Sequence, residues 1–166
     1  ASHVEQLNLE GAWIAGDVLH LLQRGHRGNV ANAVIQLDLA NALTSLLEDS
    51  PVSAPLHVQA LSLGECRGVP LGFSDASGLP DGRWVFTAVA EDTDSAWDDG
   101  GFVGAAIGVA GPDLRLQFIR PVTPAVKIEG VDAREEAGIL QLLLVSDADD
   151  PSTPAGLYSA TLLQDW

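Results

Sequence analysis

The run Ser74-Asp75-Ala76-Ser77-Gly78-Leu79-Pro80-Asp81-Gly82-Arg83-Trp84-Val85-Phe86-Thr87-Ala88-Val89-Ala90-Glu91-Asp92 holds a complete structural phrase. An acid followed by small residues leads into the turn chemistry of Pro80-Asp81-Gly82, then into a strongly apolar strand that ends on two carboxylates. Two other stretches keep the same order. Leu9-Glu10-Gly11-Ala12 passes through Gly16-Asp17 to Val18-Leu19-His20-Leu21-Leu22 and ends in Gln23-Arg24-Gly25. Ile128-Glu129-Gly130-Val131 leads to Ile139-Leu140-Gln141-Leu142-Leu143-Leu144-Val145 and ends in Ser146-Asp147-Ala148-Asp149-Asp150. Each apolar strand is followed by another rich in small residues, over 32–39, 104–110 and 155–162. Repeats of about 40–50 residues with four strands each are the mark of propeller blades.

Working outward, period-two patterning between Gly, Pro and Asp turns predicts strands over 18–22, 33–39, 57–63, 84–90, 114–119, 139–145 and 157–162. One segment breaks that rhythm. Between Asp38 and Asp49 the apolar residues Leu39, Ala42, Leu43, Leu46 and Leu47 fall on one helical face, with Asp38 or Asn41 to cap the start and Pro51 to stop it. The expected fold is therefore all-β: a β-propeller fragment of about three blades, roughly 7–63, 72–119 and 126–166, with one short inserted helix. A single β-sandwich with a coincidental acid-glycine echo is the alternative. An arc of three blades leaves two sheet faces unpacked, so the expectation is a homo-oligomer, such as a closed dimer, or association with a missing N-terminal half.

Composition limits the partners. The chain has 166 residues, 46% hydrophobic and 19% charged, enough for the core of one domain. Eight basic residues against 23 acids give a net charge of −15, which repels phosphate backbones and anionic lipid and excludes nucleic acid and acidic membranes as expected partners. Cys66 is the single cysteine, so neither an intrachain disulfide nor a thiolate metal cluster can form. Ala1-Ser2-His3-Val4-Glu5-Gln6 lacks the basic start and apolar run of a signal peptide. The default expectation is the cytoplasm, with secretion after upstream processing left open.

The phrases Leu21-Leu22-Gln23-Arg24-Gly25, Gly72-Phe73-Ser74-Asp75-Ala76, Ala88-Val89-Ala90-Glu91-Asp92-Thr93, Lys127-Ile128-Glu129-Gly130 and Leu144-Val145-Ser146-Asp147-Ala148-Asp149-Asp150-Pro151 carry a resemblance. Together they resemble an uncharacterised family of bacterial β-propeller proteins, a domain of unknown function distantly similar in pattern to phytase-like and esterase-like propellers. The resemblance spans nearly the whole chain and implies a propeller of which this sequence is the C-terminal half. It transfers no catalytic residue.

Glu10, Asp75 and Glu129 open the three units, and first strands of blades line a shared channel, so their carboxylates are expected to converge. Two readings follow: they hold a hard cation, Ca²⁺ or Mg²⁺, with Asp147 and Asp149 as further oxygen ligands, or each accepts backbone N–H groups from a neighbouring blade. Arg24 either neutralises Glu10 or another blade's acid, or steadies an anionic ligand. Asn29 closes the same basic cluster, and Trp97 stands in a loop with five acids over 91–99; with Arg24 they form the candidate ligand-binding set. No Gly-x-Ser-x-Gly elbow, His-Glu-x-x-His zinc motif or phosphate loop is present. Two functions remain: a ligand- or protein-binding module, and a metal-assisted phosphoester or ester hydrolase of phytase-like type.

Overall fold

The computed structural model describes residues 7–25, 31–93 and 100–163. Three antiparallel sheets follow one another along the chain. The first pairs β1 (Leu9–Ala15), β2 (Val18–Gln23), β3 (Asn32–Asp38) and β4 (His57–Leu61) in chain order, with α1 (Leu39–Leu47) inserted before β4. The second pairs β5 (Glu65–Cys66), β6 (Val69–Gly78), β7 (Trp84–Asp92), β8 (Gly101–Ala110) and β9 (Leu116–Pro121). The third holds β10 (Ile128–Glu136), β11 (Ile139–Ser146) and β12 (Leu157–Leu163). The fold is all-β with one short helix. Strand neighbours are chain neighbours throughout, which is why short turns such as Gly16-Asp17 suffice; Gly16 there takes a left-handed φ of 57°.

The apolar phrases become β2, β7 and β11, and the acid-small phrases become the strands just ahead of them, β1, β6 and β10; in the second sheet the two-residue β5 comes before β6. The strand expected over 114–119 starts at Leu116, because Leu114 turns left-handed (φ 61°) and its N–H bonds back to the Gly111 carbonyl.

Alternation along the strands builds two separate cores. Trp13, Leu22 and Val34 of the first sheet pack against Phe73, Trp84, Phe86 and Ala88 of the second. The opposite face of the second sheet, with Val85, Ile107 and Val109, packs on Ile128, Val131, Leu140, Leu142 and Leu144 of the third. Residues 84–91 of β7 are therefore buried on both faces. In the two-sheet sandwich held as an alternative, each sheet would have one buried face; here the middle sheet has two.

Helix α1 follows its expected limits but not its expected face. The Asp38 carboxylate accepts the Asn41 N–H at 2.8 Å, a working N-cap. The buried side chains are Ala42 and Ser45, small enough to bring the helix against Ile35 and Leu37, whereas Leu46 and Leu47 are 70% and 88% exposed. Among the described residues no helix is long and apolar enough to cross a membrane.

Candidate functional site

Antiparallel pairing sends the starts of β1, β6 and β10 and the ends of β2, β7 and β11 to one end of the molecule: Leu9 lies opposite Gln23, Leu71 opposite Ala90, and Ile128 opposite Ser146. The charged residues that flank these strands therefore meet there. Arg24, just past β2, lies 3.5 Å from Glu10 Oε1 and donates to Glu91 Oε2. Lys127, just before β10, sits 2.7 Å from Glu91 Oε1 and 3.4 Å from Glu129 Oε1, and donates to Asp149. The result is a line of ion pairs, Glu10–Arg24–Glu91–Lys127–Glu129 and Asp149, that runs across all three sheets. Glu91 and Lys127 are its buried centre, 7% and 8% exposed.

Close backbone approach makes room for it. A Cβ on Gly72 would lie 2.7 Å from the Gly25 carbonyl and 2.9 Å from Arg24 Cγ, so only glycine lets the arginine stem cross the second sheet. Asn32 fixes the same seam: its Nδ2 donates to the Leu71 carbonyl at 2.7 Å, while its Oδ1 accepts from Gly25 and Phe73. Burial alone would lower the Lys127 pKa, but Asp149, Glu91 and Glu129 together raise it well above the ordinary lysine value. Glu129 moves upward too, because burial outweighs the pull of Lys127 and Arg24.

The three opening acids do not meet as equals. β1, β6 and β10 each carry a bulge against the strand that follows, and the bulged residues are Glu10, Ser74 and Glu129. Ser74, not Asp75, is the structural counterpart of Glu10 and Glu129; Asp75 aligns with Gly11 and Gly130. The Ser74 hydroxyl donates to the Ile128 carbonyl at 2.8 Å. Asp75 instead stands on β6 where it meets both β1 and β10. Its Oδ2 accepts the Val131 N–H at 2.8 Å, and a Cβ on Gly11 would come within 3.0 Å of its Cα. Burial raises its carboxyl above the usual range, against the N–H groups of Val131 and Ala76. Asp75 thus does for the neighbouring sheet what the second reading of these acids described.

Of the other candidates, Asp149 is on Lys127, and Asp147 accepts the Asp149 N–H at 3.0 Å. Asn29 and Trp97 lie outside the described residues. Lys127, the sole lysine, did not enter the sequence-derived set, nor did Ser74 or Asn32; the one local signal for Lys127 was its place immediately before Ile128-Glu129-Gly130. Where a cation would bridge Glu91, Glu129 and Asp149, the lysine ammonium already stands. Among the described residues no group of three or more His, Cys, Asp or Glu side chains is arranged to hold a metal ion.

Beside Lys127 a cleft of about 300 Å³ opens between the second and third sheets. Phe102, Val126, Pro154 and Tyr158 give it apolar walls, and Ser146 and Thr153 contribute hydroxyls. Ser146 Oγ accepts the Gly156 N–H at 3.0 Å, which fixes the loop between β11 and β12 over the cleft.

Neither the curated proteins nor the solved structures include one that matches this chain. A protein-family model does match, over residues 1–151, and the chain belongs to that family, the family of unknown function DUF6910.

Proposed function

We propose that the chain is a non-catalytic binding module of the β-propeller type, whose three sheets are successive blades and whose charged end receives a ligand. The cleft beside Lys127 carries this reading. Its volume lies at the lower limit for small-molecule sites, and its mix of aromatic walls and hydroxyls suits recognition rather than bond breaking. With Asp147 at the rim and a net charge of −15, it favours a neutral or cationic small molecule, or one side chain of a protein partner, over an anion. Arg24 acts here as a strut between Glu10 and Glu91, which leaves it no free fork for an anionic ligand. The hydrolase alternative needs carboxylates available to hold a metal or activate water, whereas Glu10, Glu91, Glu129 and Asp149 are engaged with Arg24 and Lys127.

Assembly belongs to the same proposal. Ile14 and Val58 are exposed on the outward face of the first sheet, and Leu143 and Val145 on that of the third, so further sheets are proposed to cover these faces.

A titration of isotope-labelled protein with neutral and cationic fragments, followed by amide NMR, tests the ligand. Shifts are expected at Phe102, Ser146 and Ala148, with affinity weakened about tenfold by Tyr158→Ala. Unmoved amides together with turnover of phosphoester or ester substrates would reverse the reading.

A further inference from the structure

We propose that the outer edge of β12 accepts an extended peptide segment of a partner protein as the fourth strand of the third sheet. In the first and second sheets the strand that follows the apolar one, as β12 follows β11, has such a neighbour, β4 on β3 and β9 on β8. Among the described residues β12 pairs with β11 alone. Its sequence, Leu157-Tyr158-Ser159-Ala160-Thr161-Leu162-Leu163, has no charge and no proline, and its pairing with β11 has no bulge. Those are the devices by which edges are kept from pairing, and β9, with Arg120, Pro121 and a bulge at Gln117 against β8, has all three.

The space beside the edge points to the occupant. Between the first and second sheets, β4 fills the outer end of the seam: Leu61 packs on the core with Leu116 and Ile119, and the Gln59 amide donates to the Leu114 carbonyl at 3.4 Å. The corresponding place between the second and third sheets is an open cleft of about 350 Å³ lined by Ile107, Phe118, Val122, Leu144 and Leu162. These residues continue the core between the two sheets, and Arg120 is the one charged residue on the lining. A strand paired to β12 would drop alternate side chains into that cleft, as β4 does on the other side. The fitting segment is extended and apolar at every second position, with neutral or basic residues between, given a host of net charge −15. None of this depends on the ligand proposed for the charged end.

The test uses a panel of labelled octapeptides in which Val, Leu or Phe alternates with Thr or Lys, and control peptides of the same composition with the alternation broken. Binding is read by anisotropy, amide hydrogen exchange and light scattering. The alternating peptides should bind saturably, slow exchange within β12, and lose about tenfold in affinity on a Val122→Asp variant whose melting is unchanged. No binding across the panel, with β12 amides exchanging freely, overturns the proposal. So does protection confined to other strands. A doubled mass with β12 already protected in the protein alone would assign the edge to a second copy and equally overturn it.

Discussion

The two seams on either side of the second sheet are built from different chemistry. The one facing the first sheet is aromatic and closed. The His20 ring stacks on Trp13 at 4.5 Å, Trp13 stacks on Trp84 at 4.6 Å, and Phe73 meets Phe86 edge-on at 5.2 Å. The one facing the third sheet is aliphatic, joined at its inner strands by Asp75 and Ser77, which accept the N–H groups of Val131 and Ala133, and open at its outer end. One strand, β7, supplies Trp84 and Phe86 to the first seam and Val85 to the second. The lesson is that large rings in fixed contact hold sheets together over their whole width, whereas branched aliphatics with a few inner hydrogen bonds hold them at their inner strands and leave the outer end open.

The largest effect should come from breaking the aromatic seam. Trp84 is fully buried and touches Trp13, Phe73 and Phe86, so Trp84→Ala should cost about 3–5 kcal/mol in urea unfolding. Leu140, equally buried in the aliphatic seam, should cost less on replacement by alanine, about 2–4 kcal/mol, because its neighbours can relax toward the open cleft. A larger loss at Leu140 would invert the comparison.

Next comes the line of charges that both seams share. Lys127→Met removes the cation between Glu91, Glu129 and Asp149 and leaves buried negative charge without its partner, at a cost of about 3 kcal/mol. Glu91 keeps Arg24, so the loss should show first as faster hydrogen exchange at the start of β10 and the end of β11, with the first sheet little affected. Uniform acceleration across all three sheets would mean that the seams do not come apart separately. Asn32→Ala is the counterpart confined to the aromatic seam. It abandons the buried N–H of Phe73 and the carbonyl of Leu71, and should cost about 2 kcal/mol by the same unfolding measurement.

Much of this layout was legible in the chain. Trp84-Val85-Phe86-Thr87-Ala88-Val89-Ala90 announces a strand, which the fold buries on both faces, and the repeated acid-small phrases mark the strand ahead of each apolar one. Other features were hidden for physical reasons. A bulge inserts one residue without changing composition, so an acid at Asp75 reads as the equal of Glu10 until the pairing shows Ser74 in that place. The leucine stripe of α1 signals a helix, but two small residues set how closely it can dock, and those win. Lys127 and Asn32 act on partners far away in sequence, on Glu91 and Leu71, and no local pattern encodes such a meeting. Whether a sheet has three strands or four depends on pairing that repeat counting does not resolve.

The smallest effect is the most diagnostic, because it concerns a charge present in one seam and absent at the corresponding place in the other. Asp75 holds the third sheet through Val131, whereas the aligned residue of the first sheet is Gly11. Burial raises the Asp75 carboxyl above its ordinary 3.8, so the folded protein keeps this proton to a higher pH than the unfolded chain does. The resulting contribution to stability is fully present below the unfolded value and is lost as pH rises through the folded one. Glu129, also raised by burial, adds a slope of the same sign. Asp75→Asn retains an oxygen for the Val131 N–H and removes the buried charge. It should match the parent protein at low pH and exceed it at neutral pH by up to about 1 kcal/mol, with a shallower decline of unfolding free energy between those limits. An unchanged pH slope in the variant would transfer the whole effect to Glu129 and the line of ion pairs, and the two seams would then differ in shape and packing but not in their response to protons.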